Sequence, residues 1–169
     1  GRVTAQSTHA YQLAKAVCFY SPWQFLYWYD RPPASPQKIG GAGNAETSIG
    51  DEPELEFFDH LPTVWDETKV LHGRIGEYAV IARRSGDDWF IGGMNTDEPR
   101  ELEVPLSFLQ AGKKYTAHLY RDDPNVPTRT QIKIEQTSVD QSKTLRMVLP
   151  PRGGEAVRIV RKGIDREDD

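Results

Sequence analysis

Two short stretches carry side chains that could do chemistry on a sugar. In Trp28-Tyr29-Asp30, flat rings stand beside a carboxylate. Aromatic faces cover the apolar side of a pyranose while a carboxylate accepts hydrogen bonds from its hydroxyls. In Trp65-Asp66-Glu67, two adjacent carboxylates follow a tryptophan, a set that could bind a sugar or help hold a cation. Neighbouring acids on a strand point apart, however. Glycosidic cleavage wants carboxyl groups roughly 5 to 9.5 Å apart across the scissile bond, which different strands supply better than sequence neighbours do. Tyr29, Asp30, Trp65 and Asp66 are therefore candidate sugar-contacting residues, and no residue is assigned as catalytic or as a metal ligand. The plainer alternatives are rings that pack between layers and acids that solvate a linker turn.

Other chemistries find less support. Ser21 precedes a proline and sits in no Gly-x-Ser-x-Gly elbow, so a serine-hydrolase arrangement is dropped. Gly40-Gly41-Ala42-Gly43 lacks the strand before it and the Lys-Ser or Lys-Thr after it that phosphate cradling needs. His9, His60, His72 and His118 show no ligand spacing, and the single cysteine, Cys18, lies among helix-spaced apolar residues as a core thiol would. The acidic pairs Asp87-Asp88, Asp97-Glu98 and Asp122-Asp123 fall where turns are expected, with their carboxylates hydrated. The 169 residues carry 21 Lys and Arg against 25 Asp and Glu, for a formal charge of -4. That balance offers no basic footprint for nucleic acid. No apolar run approaches the roughly 20 residues that span a bilayer, so no membrane segment is predicted.

The elements that must position the candidates follow from periodicity. His9 to Tyr20 places Tyr11, Ala14, Val17 and Cys18 at helical spacing behind two candidate N-caps, Ser7 and Thr8. Ser21-Pro22 ends this helix, and the aromatic run Trp23 to Tyr29 reads as a strand with Asp30 at its C-terminal rim. Pro32 to Gly50 reads as a surface loop, and Asp51 to Leu61 as a second, amphipathic helix with an acidic first turn. Beyond Pro62 the pattern changes to eight short β-like runs, several strictly alternating, as in Leu102, Val104, Leu106 and in Leu145, Met147, Leu149. Ser85 to Asp88 and Ala111 to Lys114 have the character of hairpin connections.

The expected fold class is thus α+β: the end of a (β/α)8 barrel, as helix-strand-loop-helix, followed by an antiparallel C-terminal β-sandwich of about eight strands. Residues 1–67 would be the barrel end, 68–162 the sandwich and 163–169 a charged, fraying tail. The chain begins with Gly1 and reads as a fragment of something longer.

Three segments in this order, HAYQLAKAVCFYSPWQFLYWYDRP, FFDHLPTVWDETKVLHGRIGEYAVIARRSGDDWFIGGMN and VPLSFLQAGKKYTAHLYRDD, resemble the C-terminal region of glycoside hydrolase family 97. The likeness runs from about His9 to Ile159, and QLA, SPWQFL, PTVWDET and EYAVIARR carry it together. The resemblance implies an exo-acting α-glycosidase, α-glucosidase-like or α-galactosidase-like, acting on oligosaccharides. It implies an N-terminal β-sandwich, a central barrel and a C-terminal β-sandwich, with calcium near the catalytic site of the full-length parent and a periplasmic or secreted location. The family's catalytic carboxylates and calcium ligands belong to barrel segments upstream of the first matching motif. None is therefore carried onto this chain, and no calcium ligand is expected in it. The WYDRP ending is similar to one subset of the family, whereas others carry a shorter Ala-Asp-Ser-Pro version. The alternative is a non-catalytic carbohydrate-binding or interaction module that binds through exposed Trp89, Phe90 or Tyr120. The two helices discriminate, because a self-sufficient sandwich does not need them.

Overall fold

The computed structural model describes residues 7–24, 28 and 51–162. The first element is α1, His9–Cys18, and Thr8 is its N-cap, its hydroxyl accepting from the Tyr11 amide at 3.1 Å. The helix ends before Phe19, two residues short of the predicted Tyr20, because Phe19 is extended. The second predicted helix is a 3-10 turn, Pro53–Leu55, that runs into a single helical turn, α2, Glu56–Asp59. Of the strand expected from Trp23 to Tyr29, Trp23, Gln24 and Trp28 lie in no strand and the remainder lies outside the described residues. The loop from Pro32 to Gly50 and the tail from Gly163 also lie outside them.

Eight strands follow: β1 Glu67–Arg74, β2 Tyr78–Ser85, β3 Asp88–Asn95, β4 Arg100–Pro105, β5 Tyr115–Asp122, β6 Ile132–Val139, β7 Thr144–Leu149 and β8 Gly154–Arg161. They divide unevenly into a six-stranded sheet, ordered β1-β2-β3-β8-β5-β6, and a two-stranded sheet of β4 and β7. Every pairing is antiparallel. The predicted connection at Ser85 to Asp88 is a hairpin, with Gly86 at φ 58. Ala111 to Lys114 is not: it joins β4 to β5, which belong to different sheets.

What packs is a broad sheet with the narrow sheet on one face and the helices on the other. Val80, Ala82, Ile91, Val157 and Ile159 meet Val104, Leu145, Met147 and Leu149 in one core. On the opposite face Phe90, Tyr120 and Ala156 meet Leu13, Val17 and Phe57 in a second. Trp89, Phe90 and Tyr120, the rings proposed for a binding module, are all buried, at 4%, 2% and 0% exposure. The alternation that exposes one face of a strand does not apply here, because the central strands are covered on both sides.

The helix can lie this close only because β3 carries two glycines. A Cβ at Gly92 would stand 2.9 Å from Cys18 Sγ and 3.0 Å from Val17 Cβ, and would also strike the Ala14 carbonyl oxygen. One at Gly93, on the other face, would meet Met147 and Leu149 of β7. Gly154 of β8 is equally confined, its absent Cβ lying 2.6 Å from Tyr11 Cα.

Between the sheets sits a buried carboxylate. Arg121 Nε donates to Glu155 Oε1 at 2.9 Å, and its other nitrogens reach Glu135 and the Arg146 carbonyl. Glu155 Oε2 has no hydrogen-bond partner among the described residues. Burial pushes the Glu155 carboxyl up to about 7, against the pull of Arg121.

Two predictions follow from this packing. Gly92→Ala forces overpacking against α1 and destabilises by about 1–3 kcal/mol in urea denaturation. Between the ordinary 4.5 of Glu155 and about 7, the folded chain holds a proton that the unfolded chain has released. Its contribution is therefore complete below the unfolded value and is lost as pH rises through the folded one. Glu155→Gln flattens that part of the stability profile, and denaturation at roughly pH 5 and pH 8 measures the slope.

Candidate functional site

The polypeptide leaving α2 turns at Leu61-Pro62 and enters β1 at Glu67, which sets Trp65 and Asp66 at the mouth of the strand. Asp66 is committed to the neighbouring hairpin. Its amide donates to the Arg84 carbonyl at 2.8 Å, and its Oδ2 accepts from the Gly86 amide at 2.7 Å and from Arg84 Nη1 at 3.4 Å. An aspartate that accepts from a turn amide fixes that turn. Glu67 pairs with Lys69 and Arg84 at the surface. The Lys69 hydrogen bond, chief among its causes, holds the Glu67 carboxyl below its ordinary value.

Trp65 is half-buried and faces the other way chemically. Its ring meets Phe90 edge-on at 5.5 Å, and the Arg83 guanidinium lies 5.6 Å from its centroid and 5.6 Å from that of Tyr20. Arg83 is only 3% exposed. It donates through Nη1 to the Phe19 carbonyl at 2.9 Å and through Nη2 to the Cys18 carbonyl at 3.3 Å. These carbonyls end α1, where a cation also complements the helix dipole. Burial lowers the Arg83 pKa, while Cys18 and Tyr20 oppose that. Burial pushes the Cys18 thiol up to about 12, and its Sγ donates to the Gly92 carbonyl at 3.2 Å, so this cysteine is packed as a core group.

A cleft of about 190 Å³ opens between the end of α1 and the α2 turn. Phe19, Phe58 and Trp65 give it ring faces, and Gln12, Lys15 and Gln24 give it polar ones. Gln24 is held by its amide to the Ser21 carbonyl at 2.8 Å, leaving Oε1 buried without a partner among the described residues. Neither Asp66 nor Glu67 lines this cleft. Rings with amides and one ammonium can stack on a sugar or seat a polypeptide, but they supply no general acid paired with a nucleophile.

The structure thus separates Trp65, at the cleft, from Asp66, at the hairpin; Tyr29 and Asp30 lie outside the described residues. Among the described residues no three His, Cys, Asp or Glu side chains come together as a metal would need. No described helix is long and apolar enough to cross a membrane.

Two residues central to this region carry little signal as sequence. Arg83 follows Ala79 and Ile81 in alternation, and an arginine on an otherwise apolar face was the available hint. Asp122, expected as a hydrated turn acid, is half-buried and accepts from Thr8 Oγ1 at 2.8 Å and the Gly154 amide at 3.0 Å. It ties the N-terminus of α1 to the sheet, and burial raises its pKa against those hydrogen bonds.

Residues 64–160 match the family model described as glycosyl-hydrolase 97 C-terminal, oligomerisation. The chain belongs to glycoside hydrolase family 97 and matches its C-terminal region. It is 37% identical over 157 residues to a retaining alpha-galactosidase of Bacteroides thetaiotaomicron, covering 92% of this chain and 21% of that protein. A family 97 enzyme from Pseudoalteromonas sp. strain K8, solved in complex with panose, superposes with a TM-score of 0.73 at 30% identity, covering 92% of this chain and 23% of that one. A beta-arabinopyranosidase structure superposes with a TM-score of 0.68 at 26% identity, covering 94% and 22%. The chain therefore spans about a fifth of the length of these relatives.

Removing the Arg83 side chain leaves the Cys18 and Phe19 carbonyls without their donors. Arg83→Ala should cost about 2–3 kcal/mol by urea denaturation, and Arg83→Lys, which cannot fork to both carbonyls, should recover only part of it. A loss no larger than a surface substitution gives would show that the guanidinium does not secure the helix.

Proposed function

We propose that this chain is the carboxy-terminal end of an exo-acting α-glycosidase of family 97, α-galactosidase-like or α-glucosidase-like, that hydrolyses α-glycosidic bonds in oligosaccharides. The observation that carries this reading is the match to the C-terminal family model over residues 64–160 in a chain covering only 21% of the retaining relative. In the parent, a general acid protonates the glycosidic oxygen and a second carboxylate attacks the anomeric carbon or activates water. Both groups, and any calcium, are assigned upstream of this chain.

On this reading residues 1–67 close the barrel and residues 68–162 form the domain that braces it. Tyr29 and Asp30 belong to the rim of the sugar pocket, and Trp65 stays close to it with Asp66 securing the hairpin behind. The ring-lined cleft at Phe19, Phe58 and Trp65 is read as a seat for the upstream barrel, supported by the exposure of Tyr20 at 85% and Trp23 at 86% beside it. Rings this exposed on one side of a fold mark a contact surface. The family model's description also supports self-association of this chain.

The isolated chain should give no turnover of aryl α-galactosides or α-glucosides, while the same chain joined to its upstream sequence should. Release of the aryl group by the purified 169-residue chain would overturn this division of labour.

A further inference from the structure

The helix side of the broad sheet also carries polar side chains that neither core absorbs. Antiparallel register sets Phe90 of β3, Arg158 of β8, His118 of β5 and Gln136 of β6 opposite one another, one strand after the next. Phe90 belongs to the core beneath the helices, so this row faces their side of the sheet. Phe57 of α2 meets Phe90 and Tyr120 edge-on. Arg158 and His118 are left half-buried, and Gln136 is exposed.

Arg158 stands apart from the other described arginines. Each of those donates to a carboxylate or a carbonyl. Arg158 has no hydrogen bond or ion pair among the described residues, and its Nε is buried. His118, directly opposite, is in the same condition, with a buried and unpartnered Nδ1. A buried donor left unpaired costs stability, and two cation-forming groups facing each other across neighbouring strands repel. The charged groups that act on His118 are Arg158, Glu56 of α2 and His60 at the C-cap of that turn. Burial first, then Arg158 and His60, hold the His118 ring below its ordinary value, and Glu56 pulls the other way. Glu56 does not pair with either group among the described residues: its Oε1 accepts from the Tyr120 hydroxyl at 2.6 Å. The row therefore lacks an acceptor and a counter-charge at the same place.

We propose that Arg158 and His118 form a binding site for a small oxyanion, either a carboxylate carried by a sugar or free inorganic phosphate. A guanidinium is a planar fork that meets either oxyanion with parallel hydrogen bonds. An imidazolium on the next strand adds a donor and a second positive charge. Gln136, beyond it in the row, offers an uncharged amide to whatever the oxyanion is attached to. The site holds no acid paired with a nucleophile, so it binds and does not cleave. It stands independently of the glycosidase reading, since the row is complete within this chain.

The test is nuclear magnetic resonance titration of the imidazole signals of the 169-residue chain, with chloride holding the ionic strength constant. The probes are inorganic phosphate, D-glucuronate and D-glucose. One or both anions should shift the His118 signals saturably and raise its apparent pKa, because a bound anion favours the imidazolium. Saturation by phosphate alone assigns the site to the free ion, and saturation by glucuronate alone assigns it to a sugar carboxylate. Glucose should shift nothing. Arg158→Gln should weaken binding at least ~10-fold, whereas Arg74→Gln, on the distant β1–β2 connection, should not change it. Arg158→Lys, which keeps the charge and loses the fork, should retain part of the affinity and carries the test should Arg158→Gln fail to fold. The absence of a saturable shift with either anion overturns the proposal, as does an equal shift with glucose or undiminished binding in the Arg158 variants.

Discussion

The thickness of this fold is set at Gly92-Gly93. Successive residues of a strand point to opposite faces, so this pair removes a side chain from each side of β3 at the same level. On one side the backbone of α1 comes down onto the sheet until the Ala14 carbonyl, Val17 and Cys18 occupy the space a Cβ would need. On the other, Met147 and Leu149 of β7 move in. The six-stranded sheet is therefore held between a helix and a ribbon that both register on the same two residues. Gly154, adjacent on β8, gives Tyr11 the same access and brings the first turn of α1 into line.

Close approach alone would leave the helix free to slide along the sheet, and two ionic groups, a half-buried acid and a buried arginine, oppose that. Asp122 takes the Thr8 hydroxyl at the N-terminus, while Arg83 takes the Cys18 and Phe19 carbonyls at the C-terminus. An acid at the amino end and a cation at the carboxyl end also suit the dipole of the helix between them. Both charges are partly desolvated, and each is compensated by hydrogen bonds from or to α1, with the Gly154 amide of β8 adding a second donor at Asp122. These groups hold α1 at both ends as a layer packed on the six-stranded sheet.

The extent to which this was legible in the sequence follows from which forces are local. Strand positions show themselves in alternation, and the runs from Lys69 to Val160 were readable for that reason. Which sheet a strand joins depends on pairing across long separations, so β4 and β7 looked no different from the six that assemble together. The same limit misplaced Trp89, Phe90 and Tyr120: their exposure depends on layers that no window of sequence reveals. Trp65 and Asp66 were identifiable by residue type, but Asp66 was claimed by the Gly86 amide, a partner twenty residues away. Asp122 was read with Asp123 as a hydrated turn pair, and Arg83 drew no reading at all, because their partners, Thr8 and the carbonyls of Cys18 and Phe19, lie 114, 65 and 64 residues away in sequence.

The two flanks of α1 differ in the chemistry they present. One presents rings with amides and an ammonium, beside Trp28 and the α2 turn. The other presents aliphatic side chains with tyrosines inside a rim of paired charges. Rings with polar edges suit a wet contact with polar groups, whereas an aliphatic centre gains most from being closed off from water entirely. The seated helix separates the two flanks and is tied down at both ends, by Asp122 at Thr8 and by Arg83 at the Cys18 and Phe19 carbonyls.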